Sequence, residues 1–129
     1  MDDRIEGEVV GVRRKPVVCI EKEIRDLIII TLKGKLIGQA ETDQLHNCIK
    51  SVLDRDIKKI VLNLKNLSRI SSLGIGAIMR ALTVVRDAEG DLRLAGLDSN
   101  IKNIFEITKL IGVIKIFDQN DQAITSFKE

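Results

Sequence analysis

Short runs of β-branched and aliphatic residues alternate with segments of helical hydrophobic period along this chain, and that order leaves few folds open. Ile60-Val61-Leu62-Asn63-Leu64 is a brief apolar run of the kind buried on both faces in a parallel sheet. A polar turn, Ser71-Ser72-Leu73-Gly74, comes next. Ile75, Ile78, Met79, Leu82 and Val85 then recur at the spacing of one helix face, with Gly90 placed as a left-handed stop. Upstream, Val17 to Ile20 and Leu27 to Leu32 read as two paired strands, and Lys35 to Ile37 as a third short strand after Gly34. Leu45, Cys48, Ile49, Val52 and Leu53 mark a first helix, with Thr42 or Asp43 to cap it. Downstream, Leu92 to Leu97 reads as a strand. Asp98 or Ser99 caps a helix carrying Ile101, Ile104, Phe105 and Leu110; Val113 to Phe117 is a last strand, and Asp121 opens a terminal helix with Ile124 and Phe127. Right-handed crossovers between such units predict one α/β domain, a mixed and mostly parallel sheet with about four helices packed against it.

The 129 residues suffice for a single domain of this kind. Residues 1–16, charged and small residues ending at the only proline, Pro16, read as an extension ahead of a domain over 17–129. With 21 Lys and Arg against 19 Asp and Glu, interleaved rather than striped, there is no electrostatic footprint for nucleic acid. Arg13-Arg14-Lys15 reads as a solvated arm. The only aromatics are 3 Phe, so no platform for base stacking exists either. Met1-Asp2-Asp3-Arg4 is acidic where a signal peptide would be basic and then apolar, and the aliphatic run Leu27 to Ile30 is far too short to span a bilayer. The expectation is a cytoplasmic protein without direct membrane insertion.

Catalytic schemes fail on inventory. His46, the one histidine, sits in a helical segment between Leu45 and Asn47 and reads as a surface or boundary residue. Cys19, His46 and Cys48 are too few and too oddly spaced for a metal site, and core packing accounts for both cysteines. Leu73-Gly74-Ile75-Gly76 holds a G-x-G but lacks the remainder of a dinucleotide or P-loop motif. The reading is no enzyme, no cofactor and no metal. Ser71-Ser72 remain, at a strand-to-helix turn. One serine caps the helix, and a phosphate on an exposed hydroxyl there would face free N–H groups and the positive end of the helix dipole.

The segment from Leu62 to Ile78 resembles the signature of STAS domains of the anti-sigma-factor antagonist family, a buried strand running into Asp-Ser-x-Gly-x-Gly and a helix. With Gly74 and Gly76 on the two glycines, Ser72 falls on the family's phosphorylatable serine. Thr31 to Leu36, Gly90 to Gly96 and Phe105 to Leu110 extend the likeness, which covers about residues 17–128. Two positions depart: Ser71 stands where the family has aspartate, and Ile37 at its early acidic position. The resemblance implies a regulatory module that binds a protein partner, an anti-sigma factor or related serine kinase, through Ser71, Ser72, Leu73, Gly74, Ile75 and Gly76. Phosphorylation of Ser72, with Ser71 as the alternative acceptor, would release the partner, and a phosphatase would reverse it. Two alternatives keep the fold: a constitutive interaction or assembly module in which Ser72 carries no phosphate, and a sensor of a small anionic ligand or nucleotide at the helix start.

Overall fold

The computed structural model describes residues 17–128. The 1–16 extension, with Arg13-Arg14-Lys15, lies outside the described residues. Eleven short elements follow one another: β1 (Val18–Ile24), β2 (Leu27–Leu36), α1 (Gln39–Asp54), β3 (Lys59–Asn63), β4 (Leu67–Ile70), α2 (Ser72–Asp87), β5 (Asp91–Ala95), α3 (Ser99–Ile107), a 3₁₀ turn (Leu110–Gly112), β6 (Ile116–Phe117) and α4 (Asn120–Ser126). The strands form one sheet in the order β1-β2-β3-β5-β6, with β4 pairing the far end of β2. Only β1 runs antiparallel to its neighbour; the β2–β3, β3–β5, β5–β6 and β2–β4 pairs are parallel. This is the mixed, mostly parallel α/β sheet with four α-helices that the alternation of elements predicts.

Strand pleating sorts the core onto two faces. Ile28, Ile30 and Leu32 of β2, Ile60 and Leu62 of β3 and Leu92 and Leu94 of β5 point one way, and Leu45, Ile49 and Val52 of α1, Ile78, Leu82 and Val85 of α2 and Ile101 and Phe105 of α3 pack on them. Leu27, Ile29, Val61 and Ala95 point the other way, where α4 covers them with Ala123 and Ile124. Val61 and Leu62 are both fully buried, so β3 is buried on both faces.

Several local expectations are corrected. Lys35 and Leu36 continue β2 instead of starting a third strand: Gly34, at φ 112, bends the chain at a register shift and delivers Leu36 to β4. Helix α1 begins before Thr42 and Asp43. Gly38 caps it, its N–H donating to the Glu41 carboxylate at 2.7 Å, while buried Thr42 donates to the Gln39 carbonyl. At the end of α2 the left-handed residue is Glu89 (φ 68), and Gly90 serves another purpose, since a Cβ there would lie 2.2 Å from the Lys58 carbonyl oxygen. Asp98 does cap α3, accepting from the Ile101 N–H. That helix stops at Ile107, however, because Lys109 turns left-handed and sets Leu110 in a separate 3₁₀ turn. Val113 is half exposed and bonds back into that turn, which shortens the last strand to Ile116–Phe117. The terminal helix is capped by Gln119, with Asp121 in its first turn.

Candidate functional site

The strand-to-helix turn is built from β4 and the end of β2. β4 pairs with β2 only through Gly34, Lys35 and Leu36, and this short parallel pair aims the chain from Ile70 into α2. Ser71, extended at φ −103, is the cap: its Oγ accepts the Gly74 N–H at 3.2 Å and donates to the Ile37 carbonyl at 2.9 Å, while its own N–H donates to the Leu36 carbonyl. Its hydroxyl is therefore used on both sides and half buried.

Ser72 is the first helical residue, exposed, and its hydroxyl has no hydrogen-bond partner among the described residues. The N–H groups of Ser72 and Leu73 belong to the turn whose donors have no partner inside a helix. No acidic residue lies in the first turn of α2. The adjacent strands contribute exposed Lys35 and Arg69, which are cross-strand partners. An anion at Ser72 thus meets free donors and the positive end of a sixteen-residue helix.

The other residues singled out from sequence divide by burial. Leu73 is 45% exposed and Gly76 is open, with nothing within 4 Å of the place its Cβ would occupy. Ile75 is half buried against the main core. Gly74 is buried, and the space a Cβ would fill holds the Leu36 carbonyl oxygen, 2.2 Å away. The backbone that Gly74 admits is therefore the domain's own β2. What sequence reasoning missed is that partnership and β4 itself, four residues with charge in the middle whose strand character comes from pairing; the apolar Leu67 and Ile70 at its ends were the available signal.

Elsewhere, His46 is exposed on α1. A cleft of about 610 Å³ opens at the carboxyl ends of β3 and β5, lined by Asn63, Lys65, Gly96 and the start of α4. At its base Asn63 is already engaged, donating to Asn120 and accepting from the Lys65 N–H. Among the described residues no cluster of His, Cys, Asp and Glu has the makings of a metal site, and no helix is long and apolar enough to cross a membrane.

Known proteins share this architecture. The STAS domain family matches residues 20–123. BtrV of Bordetella bronchiseptica, named as a candidate anti-sigma factor antagonist, is 26% identical over 106 residues, spanning 82% of this chain and 90% of BtrV. An anti-sigma factor antagonist from Mycobacterium paratuberculosis superposes with a TM-score of 0.77 at 13% identity, covering 88% of this chain and 95% of its own. The Bacillus cell-fate determinant SpoIIAA, solved in its phosphorylated form, gives a TM-score of 0.66 at 18% identity over 85% of this chain and 99% of its own.

Proposed function

The chain belongs to the STAS domain family, and from that membership we propose that it is a partner-switching regulator of the anti-sigma-factor antagonist kind, acting by reversible protein binding and not by catalysis. One observation carries the switch. Of the two adjacent serines, Ser71 is consumed as a cap while Ser72 presents an exposed, unengaged hydroxyl on the first turn of α2. Unmodified, that turn with Leu73 and Gly76 docks on the partner, an anti-sigma factor or related serine kinase in the cytoplasm. Phosphate at Ser72 is tolerated within the domain by the donors and dipole around it. Pressed against a partner surface shaped for a hydroxyl, the same charge is desolvated without a counter-charge and the complex dissociates. A phosphatase would restore binding.

A constitutive interaction module is the rival, and it draws on the missing carboxylates. Ser71 and Ile37 occupy the family's two acidic positions, so any kinase that reads this surface does so without them. Affinity capture from native lysate with wild type, Ser72→Ala and Ser72→Asp separates the readings. The switch expects one partner held by wild type and Ser72→Ala and lost with Ser72→Asp, whereas equal capture by all three favours the constitutive module.

A further inference from the structure

The two cysteines lie 29 positions apart in sequence, yet the fold brings them together. Cys19, Glu21 and Glu23 share one face of β1, by strand alternation, and that face lies over α1. Arg55, at the end of α1, bonds Glu21 at 2.7 Å and Glu23 at 2.9 Å. About two helical turns before it, Cys48 directs its Sγ to the other Glu21 oxygen at 3.4 Å. The Cys19 and Cys48 thiols lie against one another, both partly buried and both packed on the rim of the main core. Packing alone explains neither the pairing nor a carboxylate clamped beside it by arginine.

We propose that Cys19 and Cys48 are a peroxide-oxidisable dithiol, a modification site that closes to an intramolecular disulfide and ties edge strand β1 to α1. The two sulfurs have different roles. Cys48 points its thiol at Glu21, and the Cys19 contact, burial and that carboxylate keep it protonated; the contact with Cys48 lowers the Cys19 pKa against the opposing effects of burial and Glu21. Cys19 is therefore the attacking thiolate and Cys48 the resolving thiol. The Cys19 thiolate attacks one oxygen of a hydroperoxide; the O–O bond breaks, the departing hydroxide or alkoxide takes up a proton, and Cys19 becomes a sulfenic acid. Cys48 then attacks the Cys19 sulfur, the S–O bond breaks, and the leaving hydroxide combines with the Cys48 proton, released on the side of Glu21, to give water. Two thiols lose two electrons in all, and the peroxide is reduced by two.

The full chain, treated with increasing hydrogen peroxide and blocked with an alkylating agent, tests this by intact mass, a non-reducing peptide map and melting temperature. The expected product is a monomer lighter by two hydrogens, with a Cys19–Cys48 cross-linked peptide that a dithiol reductant reverses. Because the bond closes a loop of about 30 residues, oxidation should raise the melting temperature by roughly 10 °C. In Cys48→Ser the reaction should stop at a Cys19 sulfenic acid trapped by a cyclic 1,3-dione, and in Cys19→Ser peroxide should leave Cys48 a free thiol. Free thiols persisting in wild type under excess peroxide, disulfide-linked dimers, or Cys19 driven to sulfinic acid without the cross-link would each overturn the proposal. The peptide map of wild type decides the matter even if a variant folds poorly.

Discussion

Ser71 donates its hydroxyl to the carbonyl of Ile37 across 2.9 Å, joining the cap of α2 to the segment that leads into α1. These are the two positions at which the family resemblance predicts acidic residues. Where a carboxylate at position 71 could only accept, the serine both donates to Ile37 and accepts from Gly74, a pair of bonds that ties two helix starts together.

The two serines should consequently separate in stability. Ser71→Ala loses the cap and leaves the Gly74 N–H without its partner, a cost of about 1 kcal/mol. Ser72→Ala, at an exposed hydroxyl without a partner, should stay within about 0.5 kcal/mol of wild type. Urea unfolding of the pair checks this.

Glycines 74 and 76 should separate as sharply. Gly74→Ala drives a Cβ to 2.2 Å from the Leu36 carbonyl oxygen, so the β4–α2 turn must move and the protein should lose stability. Gly76→Ala meets open space on a helix and should gain up to about 1 kcal/mol. Melting curves of both variants would show opposite shifts.

At the far end of α2, the left-handed Glu89 carries strain that glycine would relieve. Glu89→Gly should hold or raise stability, by up to about 1 kcal/mol, whereas Gly90→Ala, with a Cβ 2.2 Å from the Lys58 carbonyl oxygen, should lower it. The reverse order in a denaturant series would show that Gly90 is the stop after all.

Ile78 and Leu82 anchor α2 on the sheet with almost no exposed surface. Truncating either to Ala should cost about 2–5 kcal/mol, read from chemical denaturation, since the surrounding core closes such a cavity only in part.

Much of this was legible because local pattern and tertiary role agree. The run at Ile60 to Leu64 is apolar throughout because β3 is covered on both faces, and Ile78, Leu82 and Val85 repeat at helical spacing because one side of α2 meets the sheet. Ser72 was legible as an exposed hydroxyl at a helix start. What escaped depends on residues distant in sequence. β4 is a strand only because a bend at Gly34 brings Lys35 and Leu36 alongside it, Gly74 is required by a carbonyl from β2, and the two cysteines meet only once the β1–β2 hairpin lies over α1. Helix ends were misplaced where an unlikely residue, Glu89 or Lys109, accepts the left-handed conformation that sequence reasoning reserves for glycine.

The switch itself is tested most directly by isolating the chain from its native cells, separating phosphorylated from unmodified protein, mapping the phosphate by mass spectrometry and measuring the partner retained by each fraction. The account predicts phosphate on Ser72, a folded domain in both fractions, and at least about a hundredfold weaker partner binding in the phosphorylated one, as a penalty of about 2.8 kcal/mol requires. Phosphate confined to Ser71, or equal retention of the partner by both fractions, would contradict it.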